Sequence, residues 1–219
     1  MPLAGKGMLL TSMDVDPADE ADFNRWYDRE HLAERVAIDG FLEARRYVAH
    51  LGSPKYLSLY STETFDVLDS PAYRTALGNQ TAWSKANIGR FRNMIRAVAR
   101  ITISRGQGRG AALGIVRLRP AGGSEALRVA LREKLDPQQF DGIISIHLIE
   151  SDPALSRPLT DNPSGPSPGA GDWFVLIDGT HVDALPGAQR EIAALAPGIQ
   201  VSSGSYNLMW DLAKCDIPS

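Results

Sequence analysis

The chain has 219 residues, of which 43% are hydrophobic, 22% charged and 7% aromatic. This is the composition of a globular protein with room for one large domain or two small ones. Its 23 Lys and Arg against 26 Asp and Glu leave a formal charge of -3, which speaks against nucleic acid or a membrane surface as the partner, since both draw a basic excess. A single cysteine, Cys215, excludes an internal disulfide and a thiolate metal cage. With no apolar run of the roughly 20 residues that span a bilayer and no apolar signal core after Met1, the expected setting is cytoplasmic and the expected partner a small molecule.

Met8 to Met13 reads as the first strand. Asp16-Pro17 then offers a helix start, an acceptor followed by proline where no amide is missed, and Asp19 and Glu20 put negative charge at the positive end of the dipole. That helix is expected to run about five turns, to Val36, before Asp39-Gly40 ends it. Phe41 to Val48 is a second strand, Gly52-Ser53-Pro54 a turn, and Tyr56 to Ser61 a third strand. Ser70-Pro71 opens a second helical region that reaches Asn93 with a break near Gly78-Asn79, and Ala97 to Ile103 is a fourth strand. The order is β-α-β-β-α-β.

The same order then repeats. The glycine-rich stretch 105–110 reads as a linker between a first unit at 7–104 and a second at 111–214. Leu113 to Leu118, a run from Ile143, Trp173 to Ile177 and Tyr206 to Leu212 are its strands, while Ser124 to Leu135 and Val182 to Ala196 hold its helices. Asp141-Gly142-Ile143 opens its second strand as Asp39-Gly40-Phe41 does in the first unit. The Pro/Gly-rich segment 157–171 is an insert where the first unit needs only a short turn, and it reads as a disordered or passive flap, or else a lid. The fold class is α+β, with two tandem ferredoxin-like (βαββαβ) repeats. Helices cover one face of each sheet, so the bare faces must bury each other and enclose a barrel-like interior within one chain.

Chemistry concentrates between Phe23 and Arg35. On an α-helix Trp26 lies one turn from Glu30, and Tyr27 one turn from His31. An aromatic face thus runs on into a carboxylate and an imidazole, where a helix built only for packing would place Leu or Val. His31 is the candidate acid/base, since a neutral imidazole exchanges a proton near neutral pH. Trp26, Tyr27 and Glu30 would shape its pocket, with Glu30 orienting the ring. The plainer alternative pairs Glu30 with a surface cation and leaves His31 as a helix cap. Adjacent helical residues point about 100° apart, which weakens a Glu30-His31 dyad.

The run Phe23-Asn24-x-Trp26-Tyr27-x-x-Glu30-His31-Leu32-x-Glu34-Arg35, then Gly40-Phe41-x-x-Ala44-Arg45-Arg46-Tyr47 and Pro54-Lys55-Tyr56-Leu57-x-Leu59-Tyr60, resembles the dimeric α/β-barrel superfamily, and within it the EthD-like proteins. Ser70-Pro71-Ala72-Tyr73 and Trp83 fit the same pattern. The resemblance covers residues 8–104; the second half matches in element order only, and its first helix has no Trp-Tyr or Glu-His equivalent. It implies an intrachain dimeric α/β-barrel with a degenerate second half and a small-molecule pocket inside or beside the barrel. The superfamily includes cofactor-free monooxygenases, lactone isomerases and haem-dependent peroxidases, so the fold names no reaction. Three readings stand: a cofactor-independent oxygenase, isomerase or lyase; a non-catalytic binding or structural protein; and a haem-binding barrel. Association of whole chains into a homo-oligomer is left open.

Elsewhere, Arg45 is a candidate anion ligand if Phe41, Glu43, Arg45 and Tyr47 face the interior; the alternative is a surface salt bridge. Tyr60 shares a strand face with Tyr56 and Ser58, and would line a polar cavity or simply pack. His147 lies among Ile and Leu, as a satisfied core residue or a group reaching across the interior. No His spacing holds a metal, no Cys-x-x-Cys-His run attaches haem, and no phosphate loop accompanies the glycines at 106–110. No cofactor is therefore expected; in the haem reading, His31 or His147 would be the axial ligand.

Overall fold

The computed structural model describes residues 3–120, 124–157, 168–196 and 199–217. The strands of the first half are β1 (Gly7–Asp14), β2 (Phe41–Leu51), β3 (Tyr56–Thr62) and β4 (Arg92–Gly106). Those of the second are β5 (Ala112–Leu118), β6 (Ile143–Ser151), β7 (Trp173–Gly179) and β8 (Gln200–Ala213). They close into one antiparallel barrel in the order β1-β3-β2-β8-β5-β7-β6-β4. Two seams join the halves, β2 with β8 and β4 with β6, so the second strand of each half pairs with the fourth strand of the other. This is the tandem βαββαβ arrangement, closed around one interior.

That interior is filled. Met8, Leu10, Tyr47, Leu57 and Leu59 of the first half meet Leu113, Ile115, Ile149, Phe174 and Leu176 of the second in one buried cluster. Of the two placements expected for a pocket, inside or beside the barrel, the inside is a packed core.

The helices cover the outer face. In the first half they are α1 (Glu20–Trp26), α2 (Leu32–Ala37), α3 (Pro71–Gly78) and α4 (Ala82–Ile88); in the second, α5 (Glu125–Lys134) and α6 (Leu185–Leu195). Helix α1 starts later than the Asp16-Pro17 signal suggests. Asp16 spends its acceptors on a turn instead, its side chain on the Ala18 N–H at 3.1 Å and its carbonyl on the Asp19 N–H at 2.9 Å. A π-helical turn, Tyr27–His31, then joins α1 to α2, where an unbroken α-helix is expected. The second helical region divides as its Gly78-Asn79 signal indicates. Ser70 caps α3 by accepting from the Tyr73 N–H at 3.2 Å, and Thr81 caps α4 by accepting from the Ser84 N–H at 2.9 Å.

Strands β4 and β8 run longer than their apolar cores because each gains a second partner across a seam, so β4 takes in part of the stretch read as a linker. Gly40 and Gly142, the glycines of the repeated Asp-Gly pair, both sit at positive φ, 82° and 76°, which glycine adopts without a Cβ clash. Of the insert read at 157–171, residues 158–167 lie outside the described residues. Among the described residues no helix is long and apolar enough to cross a membrane.

Candidate functional site

A cavity of about 550 Å³ lies between the outer face of the first half's sheet and its helices, well within the usual size of small-molecule sites. Leu9, Thr11 and Met13 of β1 and Tyr60 of β3 contribute from the sheet; Tyr27, His31 and Arg35 come from the helical run, and Tyr73, Leu77, Ile88 and Phe91 add apolar and aromatic wall. Met94, Arg96 and Ser156 complete the polar and apolar mix.

The π turn sets the position of His31. In such a turn the backbone bond spans five residues, here from the Leu32 N–H to the Tyr27 carbonyl. Residues five apart then come face to face, and the His31 ring stacks on Trp26 with centroids 4.2 Å apart and planes 29° from parallel. Tyr27 meets the same ring edge-on at 5.0 Å, and Tyr60 does so at 6.4 Å. Trp26 is itself fixed, its Nε1 donating to Ser84 Oγ at 3.0 Å and to Glu30 Oε1 at 3.2 Å. Beneath Tyr27, the buried Arg46 guanidinium lies 4.2 Å from the ring centroid and donates to Asn24 at 2.6 Å and Asp28 at 3.1 Å.

Burial, reinforced by the Arg35 and Arg46 charges, holds the His31 imidazole well below its ordinary value of 6.5, so the ring is neutral at pH 7. It then has one N–H and one lone pair to place. Nδ1 is buried with no partner among the described residues. A stranded donor is rarer in proteins than an under-used acceptor, which favours the lone pair on Nδ1 and the proton on Nε2, the nitrogen not walled off by protein. The Tyr60 hydroxyl is also buried without a partner, and burial pushes its phenol well above the ordinary range. Arg35, one helical turn after His31, is 5% exposed, yet its guanidinium makes no hydrogen bond or ion pair among the described residues. Arg96 is held otherwise, donating to the carbonyls of Leu155 and, at 3.4 Å, Arg157.

The structure thus gathers Tyr27, His31 and Tyr60 around one cavity, with Trp26 behind the histidine. Glu30 stands apart from the cavity. Its Oε1 accepts from Thr81 Oγ at 2.6 Å and Ser84 Oγ at 3.1 Å as well as from Trp26, tying the π turn to α4. Arg45 and His147 lie elsewhere, in the barrel. A bulge between Phe41 and Glu43 puts Phe41 in the helix-side core, while Arg45 pairs with the buried Asp178 of the second half at 3.1 Å. The anion that Arg45 meets is therefore a protein carboxylate. His147 is satisfied by Ser104 at 2.9 Å and Ser145 at 3.0 Å, with Asp178 3.6 Å away; burial lowers its pKa. Arg35 and Arg96 lie outside the candidates the sequence offers. Arg35 carries a usable signal, its i+4 spacing from His31; Arg96 belongs to a loose basic series, Arg90, Arg92, Arg96 and Arg100, whose pattern is that of a solvated face.

No family model and no curated protein matches the sequence. Solved structures do match in fold. An anthrone oxidase-like protein aligns over 98% of this chain and 96% of its own at 9% identity, with a TM-score of 0.66. A heme-binding protein from Thermus thermophilus aligns over 95% of this chain and 92% of its own at 10% identity and a TM-score of 0.52. Chlorite dismutase from Candidatus Nitrospira defluvii aligns over 93% and 92% at 9% identity and a TM-score of 0.50. At these identities the similarity is one of fold, and it agrees with the ferredoxin-like barrel.

Proposed function

We propose that the His31 cavity binds a flat, largely apolar molecule carrying an oxygen, and that the chain acts on it by proton transfer as a cofactor-independent oxygenase, isomerase or lyase. The observation that carries this reading is the pair of polar side chains, His31 and Tyr60, each with a buried polar atom that has no partner among the described residues, in a mostly aromatic and aliphatic wall. Buried polar groups ordinarily have partners, and a ligand oxygen supplies one. For the transfer the ring takes its other neutral tautomer, with the proton on Nδ1, so that the Nε2 lone pair facing the cavity accepts the ligand's proton, and Tyr60 donates a hydrogen bond where charge develops. Trp26, Tyr27 and Glu30 are positioning residues that hold the imidazole. Similarity to an anthrone oxidase-like protein supports a polycyclic, enolisable substrate class. The EthD-like likeness, which rests on the motif residues alone, the cytoplasmic setting and the unit boundaries belong to the same proposal. The test is oxygen uptake with anthrone: turnover is expected in the unaltered chain and its loss in His31→Gln. Equal turnover in the two proteins removes His31 from the mechanism.

The second reading is a haem-binding barrel, favoured by the heme-binding protein among the structural matches and by a neutral imidazole beside two guanidiniums in an apolar cavity. The residues fit such a group in lining and charge: His31 would hold its iron, and Arg35 and Arg96 would answer its carboxylates. The iron would supply redox chemistry that the side chains lack. A haem held by Nε2 would require the ring proton on the buried Nδ1, which has no acceptor among the described residues of the kind that usually orients a ligating histidine, at a cost of about 1–3 kcal/mol. A Soret band on titrating the purified protein with haem, absent in His31→Ala, decides for this reading; a spectrum that His31→Ala leaves unchanged decides against it.

A further inference from the structure

Arg35 is the outlier of the molecule. The other buried guanidiniums have partners: Arg45 has Asp178 at 3.1 Å, Arg46 has Asp28 and Asn24, and Arg117 has Asp172 at 2.5 Å. Arg35 is buried as a residue, its nitrogens open only on the cavity it lines, and it has neither acceptor nor counter-charge among the described residues. A buried charge without a partner is strongly unfavourable, and folding retains it only where something else answers it. The helix places it one turn beyond His31 on the same face, and Tyr60 stands in the same wall. A guanidinium, an imidazole and a phenol thus share one largely apolar wall, with no acidic side chain in the lining among the described residues.

We infer that Arg35 is an anion receptor and that the natural ligand of this cavity is an organic oxyanion, a flat apolar body with a carboxylate, phenolate or enolate edge seated on Arg35. The inference rests on the proposal that the cavity binds a flat apolar molecule, and it adds the ligand's charge. Arg35 is then the specificity residue: neutral analogues of the same shape fill the apolar walls but leave the guanidinium unanswered, which penalises them. A charged hydrogen-bonded pair also gains from the low dielectric of the cavity.

The test uses naphthoate and its neutral counterpart naphthamide, two probes of nearly equal shape, titrated by calorimetry into the full chain and into Arg35→Gln and Arg35→Lys. Naphthoate is expected to bind the unaltered chain about tenfold or more tighter than naphthamide, with the preference lost in Arg35→Gln and largely kept in Arg35→Lys. Equal binding of both probes overturns the anion receptor and leaves the cavity proposal standing; a preference that survives Arg35→Gln also overturns it, since another group then reads the charge. Binding of neither probe overturns both. Thermal melts separate function from structure: Arg35→Met is expected to raise the Tm of the ligand-free protein, because it removes an unanswered buried charge. A lowered Tm together with loss of both probes marks Arg35 as a structural residue and overturns the inference.

Discussion

The two halves share one chain path and differ where helix meets sheet. In the second half α5 and α6 press Leu131, Leu185, Ala188 and Ile192 onto Val116, Val175 and Ile177, an aliphatic seal. In the first half the equivalent layer is aromatic, Phe23, Trp26, Tyr27, Tyr56 and Tyr60, and it encloses a cavity with His31 and Arg35 in the wall. Branched aliphatic side chains fill the pleated surface; large rings braced by hydrogen bonds hold a space open instead. Among the described residues the π turn lies only on the open side. Such turns recur at functional sites because they trade regular bonding for a re-aimed side chain. The lesson is that a repeated fold can hold its site in one copy through packing alone, with no change of topology.

The sharpest way to break this contrast is to remove the ring that holds the histidine. Trp26→Ala is expected to cost about 3–5 kcal/mol in urea unfolding and to free His31 from its stack. Asp178→Ala should cost a similar amount, about 3–5 kcal/mol, by stranding Arg45. Because that pair spans the halves, the loss should appear as a shift of a single cooperative transition. Carving the sealed half tests whether a void is enough: Leu131→Ala is expected to cost about 2–5 kcal/mol and to create no naphthoate binding, since the guanidinium beside that cluster, Arg128, is already paired with Glu150.

A gentler effect follows from the two buried histidines. His31 and His147 both titrate below the ordinary imidazole value of 6.5, so the unfolded chain takes up protons that the folded chain refuses. Stability is therefore complete above pH 6.5 and falls as the solution is acidified below it, by at most about 1.4 kcal/mol per pH unit for each histidine. Melting curves between neutral and mildly acid pH should show this slope, and His31→Gln should reduce it. The smallest change is Thr81→Ala, expected to cost about 1 kcal/mol as a lost cap while loosening the Glu30 tie to the π turn, visible as a modest Tm decrease.

Element order, the repeat and the tandem barrel were legible in the sequence because they follow from local signals: apolar runs, Asp-Gly and Ser-Pro punctuation, and the need of each bare sheet face for cover. The concentration of chemistry around Trp26, Tyr27 and His31 was legible too, because aromatic residues leading into a histidine break the habit of a packing helix. What local signals misplace is direction. An i+4 reading stacks His31 on Tyr27, whereas the π turn stacks it on Trp26; Glu30, adjacent to His31 in the chain, points away into the Thr81 and Ser84 hydroxyls. Arg45 and His147 looked available because their partners, Asp178 and Ser104, are remote in the chain.

Thus the sequence by itself determined the kind and order of elements and the half that carries the unusual residues, since period, turns and composition act over a few neighbours. Only the tertiary structure decided that the interior is solid, that the cavity lies outside the barrel under the helices, and which cations have partners. Those are outcomes of packing between distant segments, where a single bulge or an extra residue in a helical turn chooses the face on which each side chain is spent.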